Sequence, residues 1–254
     1  MLHCRAAPLA LALAGAASAV AAVSSAQAQA FAGPQFSAEI VTDQRRRGLS
    51  WSDGKAAAEA ALRLPLGDRL EAGAAIGTLR GSSRHGGADA GLDLDLGYRH
   101  DAGPWRLTAT VIGHIFPGEG RLDYVEVEAG AGLLIGPAQF DMLAAYAPSQ
   151  AAIGGDNLHL AARGLVVLPG TPFTLTAGIG RSSGDVTRPD RAVRLRPSGS
   201  YWDYRFGVDH VSGPITLGLA FTTTSIDRPA ESTPTRYLDR HTGSKLLARA
   251  RLSL

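Results

Sequence analysis

Cysteine is nearly missing from this sequence: Cys4 lies at the extreme N-terminus, too early and wrongly flanked for a lipoprotein acylation site. The rest of the chain therefore has no disulfide and no thiolate metal centre. An excess of either charge is missing too. Lys and Arg number 25 against 23 Asp and Glu, a formal net charge of +2, which excludes a bulk nucleic-acid binder. Mean hydropathy is only +0.01, too low for helical spans, yet a β-barrel hides its apolar face from such an average. Aromatics are sparse, with seven Phe, three Trp and six Tyr. That is thin for two membrane girdles, and the chain closes on Leu254 where a barrel usually ends on an aromatic. No P-loop, dinucleotide fingerprint or metal-ligand spacing occurs, so neither cofactor nor metal is expected.

What is present begins with an export signal. Arg5 is a short positive n-region, Ala6 to Val23 is apolar, and Ala26-Gln27-Ala28-Gln29-Ala30 offers two A-x-A cleavage sites. The reading is a secretory signal peptide over 1–30, leaving 31–254 as one domain.

Alternation dominates the remainder. From Asp89 to Phe116, Leu92, Leu94, Leu96 and Tyr98 alternate with Gly91, Asp93, Asp95 and Gly97. After the turn Asp101-Ala102-Gly103-Pro104, Trp105, Leu107, Ala109 and Val111 alternate with Arg106, Thr108 and Thr110. Side chains on a strand point to opposite faces with period two, and arms of this length suit a tilted crossing of a bilayer. The pattern repeats, predicting twelve strands at 35–42, 56–66, 70–79, 90–100, 105–116, 123–135, 138–148, 158–167, 172–181, 201–211, 215–224 and 245–254. As read, the outward row carries no Asp, Glu, Lys or Arg. The inward row carries Arg63, Glu71, Asp93, Asp95, Arg99, Arg106, Glu126, Glu128, Arg163, Arg205, Arg249 and Arg251, the candidate pore-lining residues. A cation facing lipid at mid-bilayer costs about 2–4 kcal/mol, so lipid contact would enforce this segregation. Leu79, Leu143 and Leu165 fall on the polar phase, implying local bulges or wrong registers.

Connections after even-numbered strands are a few residues long. Most after odd-numbered strands are longer and rich in Gly, Ser, Arg and Pro. Short turns at one rim and long loops at the other are the outer-membrane pattern. The predicted fold is therefore an all-β antiparallel transmembrane β-barrel of about 12 strands, with 10 as the alternative. Both termini would be periplasmic, and the location is the outer membrane of a Gram-negative bacterium.

After the first strand, the run Val41 to Asp53 holds Asp43, Arg45, Arg47, Gly48, Ser50, Ser52 and Asp53 at a spacing that resembles the signature of the TorF family of porins. That signature is an S-D-Y-R-F-R-G-x-S-x-S-D-like run soon after the signal peptide. Gln44 and Arg46 stand where the family has aromatics, and Thr42 where it has Ser. The resemblance implies a porin-type barrel in the outer membrane. Physically, the run reads as a structured turn in which Asp43 or Asp53 pairs with Arg45 or Arg47 and Gly48 takes a positive φ; the alternative is a solute-binding loop.

Three functional classes follow. In the first, inward charges and many small inward residues line an aqueous path for small hydrophilic solutes. In the second, the charges pair and fill the lumen, making a structural or adhesive barrel. The third is a barrel hydrolase, resting on His114 and His159 on the polar phase, with His114 expected opposite Glu126 and no serine tied to either by spacing. In the loop 181–200, Arg188, Arg191, Arg194 and Arg196 make the long-loop rim basic. They suit contact with lipopolysaccharide phosphates or an inward-folded, anion-attracting constriction. Expected partners are outer-membrane lipid, lipopolysaccharide and small solutes. The oligomeric state stays open.

Overall fold

Each stretch of alternating small, branched and polar residues becomes a strand in the computed structural model, which describes residues 33–227 and 235–254. The expected signal peptide lies outside the described residues. In chain order the strands are β1 Gln35–Val41, β2 Arg45–Arg46, β3 Leu49–Ser50, β4 Ala57–Pro65, β5 Leu70–Ser82, β6 Ala88–Ala102 and β7 Trp105–Ile115. They continue as β8 Tyr124–Ile135, β9 Ala138–Gln150, β10 Gly155–Val167, β11 Phe173–Ser183, β12 Tyr201–Ser212, β13 Ile215–Thr224 and β14 Lys245–Ser253. A single helical turn, α1, spans Pro189–Ala192. All strands except the two-residue β2 and β3 join one closed antiparallel barrel of twelve, with β1 paired to both β4 and β14. The twelve-strand expectation holds and the ten-strand alternative falls.

The tight turns follow from two residue types. β6–β7, β8–β9 and β12–β13 are joined by Gly103-Pro104, Gly136-Pro137 and Gly213-Pro214, with the glycines at φ +62°, +57° and +56°. Proline keeps the second position at negative φ, so positive φ falls on the first alone. That is the II′ hand, which matches strand twist. These two-residue links all lie at one rim. Both barrel ends are there too, since Phe36 and Leu254 exchange backbone hydrogen bonds at 3.0 and 2.8 Å.

Three expectations are corrected. β5 and β9 run further than predicted, so their links shrink to 83–87 and 151–154. Leu143 and Leu165 are on the inner face by register, and Leu79 is buried inside against Gly91. The lumen accepts apolar side chains there, and the irregularities lie at Thr78/Ser82 and Gly155/Asn157. Finally, β11 extends to Ser183, which puts Arg181 on the outward row at the long-loop rim, its guanidinium 5.3 Å from the Trp202 ring. A cation is tolerated at that height because it reaches the polar interface.

The scarcity of girdle aromatics also has a structural cause. Phe36, Tyr98, Trp105, Phe140 and Phe173 face outward near the short turns, and Tyr146, Trp202 and Phe221 nearer the loops. Trp51, Phe116, Tyr124, Tyr201 and Tyr237 are instead buried inside.

Candidate functional site in the barrel lumen

The run Asp43 to Asp53 does not stand at the mouth as a surface turn. It enters the lumen as the β2–β3 hairpin, with Arg45 opposite Ser50 and Arg46 opposite Leu49. Arg47 and Gly48 form its two-residue tip at φ +52° and +74°, the double positive φ of a type I′ turn. Asp43, fully buried, organises the base: Arg45 Nε donates to it at 2.7 Å and Ser50 Oγ at 2.6 Å. Ser52 Oγ accepts the Gln44 N–H at 2.9 Å. The arms are then tied to both walls. Arg46 pairs with Asp93 at 2.6 Å and Glu59 at 3.4 Å, and lies 4.1 Å from the Trp51 ring. Arg47 pairs with Glu126, and its carbonyl accepts the Tyr201 hydroxyl at 3.0 Å. Burial alone would lower both guanidinium pKa values. The facing carboxylates, Asp93 and Glu59 for Arg46 and Glu126 for Arg47, outweigh it and hold them above the ordinary arginine range. Of the expected pairs, Asp43–Arg45 forms, while Arg47 goes to Glu126 and Asp53 to Lys55 at 2.8 Å. Arg46, which departs from the TorF signature that the run resembles, joins the same network.

Above the hairpin the loops fold inward and build an apolar core from Trp51, Phe116, Leu122, Tyr124, Ile153, Val193, Leu195 and Tyr237, among others. Arg194 and Arg196 are therefore not phosphate-facing rim residues, as the sequence suggested. Arg194 is fully buried and donates to the carbonyls of Arg84, Leu122 and Ala152 at 2.9, 3.1 and 2.7 Å. Arg196 donates to the carbonyls of Gly184, Asp156 and Asp185. Arg84 reaches the Ser50 carbonyl at 2.9 Å, the Arg194 carbonyl, and the carboxylate of Asp239 at 3.5 Å. The loop folds inward, but its guanidiniums are spent on backbone. Arg188 stays exposed beside Asp190, and Arg191 binds the Arg121 carbonyl. Burial pushes the Arg194 guanidinium down to about 10, still a cation at neutral pH. His85, stacked on Phe116 at 4.6 Å, is held well below the usual imidazole range by burial and by Arg194 and Arg84.

Below the hairpin, the predicted pore residues take up different partners. Arg63 pairs with Glu71 at 3.2 Å and Asp95 at 3.3 Å. Arg249 pairs with Asp209 at 2.7 Å and Glu39 at 3.6 Å, and Arg251 donates to Ser37 Oγ at 3.1 Å. Arg106 and Arg99 meet Asp101 at the short-turn rim. Glu128 is buried two residues from Glu126 on the same face of β8. Arg163 and Arg205 have no hydrogen bond or ion pair among the described residues. Six acidic inward residues lie on β4 to β8 (Glu59, Glu71, Asp93, Asp95, Glu126, Glu128), while Arg163, Arg205, Lys245, Arg249 and Arg251 share β10, β12 and β14 with Asp203 and Asp209. One cavity of about 20 Å³, lined by Glu39, Asp43, Arg45, Arg205 and Arg249 among others, is water-sized.

The histidines do not form a hydrolytic site. His114 lies opposite Tyr124, not Glu126, and shares a 2.7 Å hydrogen bond with Asp93. Cross-strand register brings Ser182 to His159, at 3.0 Å, which sequence spacing did not show. Asp203 approaches the same Nδ1 at 4.0 Å. A relay needs base and orienting acid on different ring nitrogens, and both His159 and Ser182 are buried. Asp53, Asp239 and His241 bring three ligand atoms within 4.8 Å. They are already committed to one another and to neighbours: His241 Nδ1 sits 2.8 Å from Asp239, and Asp53 binds Lys55. They read as a clasp between loops.

In fold the barrel is similar to the NanC porin, with TM-score 0.55 at 9% identity, over 86% of this chain and 98% of that one. It is also similar to the COG4313 outer membrane channel from Pseudomonas putida F1, with TM-score 0.51 at 14% identity, over 87% and 96% of the two chains. At such identities the likeness is one of fold. No curated protein matches the chain in sequence. One family model matches residues 27–248, nearly the whole barrel, and the chain belongs to that family, described as bacterial protein of unknown function (Gcw_chp).

Proposed function

We propose that this protein is an outer-membrane channel for the passive diffusion of small hydrophilic solutes, and not an enzyme. Residues 1–30 would be a cleaved signal peptide and 31–254 the barrel, with short turns and both termini periplasmic. The observation that carries this reading is an outer wall free of charge except for Arg181 at the loop rim, around an inner wall where cations such as Arg163 and Arg205 make no hydrogen bond or ion pair among the described residues. A barrel evolved only as a filled scaffold would pair its lumen charges, because unpaired charge in low dielectric is costly. The resemblance of Asp43 to Asp53 to the TorF signature supports the same reading. The β2–β3 hairpin and the loop core form the constriction at the outer end. Arg181 beside Trp202 suits contact with anionic lipid at the outer rim.

Single-channel recording in a planar bilayer tests the proposal. Folded protein should give small, discrete conductance steps. One observation favours a second reading, a non-conducting structural or adhesive barrel: the apolar loop core across the mouth. Absence of steps from correctly folded protein would put that reading first. Arg249, tied to Asp209 and Glu39, is too structural for charge reversal, so selectivity is better probed at Arg163 and Arg205.

A further inference from the structure

Register places Arg163, Arg205 and Lys245 on a single line, which also takes in Arg106, paired with Asp101, and Asp141. Arg106 on β7 is opposite Gly132 on β8, Gly132 opposite Asp141 on β9, and Asp141 opposite Arg163 on β10. Arg163 is opposite Gly178 on β11, Gly178 opposite Arg205 on β12, Arg205 opposite Thr222 on β13, and Thr222 opposite Lys245 on β14. Residues directly opposite in an antiparallel ladder share a face, so the whole line faces the lumen. It also climbs. Arg106 is the second residue of β7, beside a short turn, and Lys245 is the first of β14, at the long-loop rim. Strand tilt in a barrel converts a row of direct partners into a spiral of this kind.

Along the spiral the cations stand on every second strand at the upper end, separated by Gly178 and Thr222. Strands are about 4.8 Å apart, so Arg163 and Arg205 have Cα atoms roughly 10 Å apart, which lets one small ligand touch both guanidiniums. Gly178 puts no side chain between them: a Cβ there would be accommodated in ordinary van der Waals contact with the Ala162 carbonyl at 3.6 Å and Arg163 Cγ at 3.9 Å. The nearby carboxylates attract these cations without forming an ion pair with them. Asp141, opposite Arg163 on the same row, accepts the Gln139 amide at 2.9 Å and, with Asp203 on the next row, acts on Arg163 at longer range; Asp209 and Glu39 hold Arg249 and act on Arg205 only from a distance. Arg163, Arg205 and Lys245 have neither a hydrogen bond nor an ion pair among the described residues. Like charges held in a lumen with low-dielectric walls repel one another and draw in anions, and paired guanidiniums suit the fork geometry of oxyanions.

We propose that this line, centred on Arg163, Gly178 and Arg205, is a binding ladder for small oxyanions, which makes anions the preferred solute class. The selectivity rests on the channel reading of the preceding section; the binding does not. The probe is inorganic phosphate at constant ionic strength. In detergent, phosphate should raise the temperature at which the folded barrel shifts its gel mobility. The double variant Arg163→Gln, Arg205→Gln should weaken that response at least 10-fold in apparent affinity. Gly178→Asp, which sets a carboxylate between the guanidiniums, should abolish it while keeping the barrel folded, so misfolding of the double variant leaves the idea testable. In a bilayer under a potassium chloride gradient, either change should move the reversal potential toward cation preference. A phosphate response without conductance steps would sustain the ladder and sink the diffusion reading. Conductance with no phosphate response, or with equal responses in wild type and variants, would overturn the ladder and leave diffusion standing.

Discussion

Gly48 shows how one residue positions the lumen hairpin. At φ +74° an added Cβ would sit 2.4 Å from Thr224 Cγ2 and 2.9 Å from Asp203 Cβ, so the tip abuts the β12–β13 wall. Gly48→Val should lower stability by about 1–3 kcal/mol, through left-handed strain and overpacking. Trypsin should then cut at Arg45 to Arg47 while circular dichroism stays β-type. Gly178→Ala, whose Cβ would meet the Ala162 carbonyl in ordinary contact at 3.6 Å, should leave the heat-modification midpoint unmoved. His85 supplies a pH dependence. Its folded pKa lies well below the ordinary 6.5, so the packed state binds fewer protons than the loosened one. Stability from this group is present above about pH 6.5 and is lost as pH falls below it. The mouth should therefore become more protease-sensitive between pH 7 and pH 5, and His85→Phe, which keeps the stack on Phe116, should flatten that slope.

The inward-folded loops act as an element distinct from the barrel wall. Arg194 alone holds three backbone carbonyls, from loop segments far apart in sequence, and Arg84 holds Ser50 and Asp239. Each carbonyl left buried without a donor costs about 1–3 kcal/mol. Arg84→Ala combined with Arg194→Ala should thus release the mouth without opening the ladder of strands, which depends on backbone bonds and lipid. The expected result is a larger conductance, or conductance appearing where the wild type shows none, with gel heat-modifiability retained. Loss of heat-modifiability would mean that the loop core is needed to close the barrel.

At the scale of the whole molecule, stability comes from a sheet with no free edge and an outer face of residues such as Ile40, Leu96, Phe206 and Leu217, each more than half exposed. Leu94→Arg, placing a cation on that face, should cost about 2–4 kcal/mol, read as a lower urea midpoint in lipid vesicles. Leu94→Phe should change little. The contrast would show that the outer row meets lipid and not a partner protein's polar surface.

The sequence by itself determined the twelve barrel strands and which face most of their side chains take. Lipid imposes a one-sided rule with period two, and that rule is local enough to read residue by residue. It failed where a strand outran its alternation, as at Arg181, where the lumen admits apolar residues, as at Leu79, and at the β2–β3 hairpin, which the sequence presents as a turn at the mouth. The pairing inside the barrel was not legible. Arg46 meets Asp93, Arg47 meets Glu126, and Arg84 meets the Arg194 carbonyl, across sequence separations of 47, 79 and 110. Alternation says that such residues face inward but not which wall they reach. Sheet closure, register and the inward hairpin decided those partners. They left Arg163 and Arg205 in line with Lys245 because direct partners on successive strands share one face and climb together.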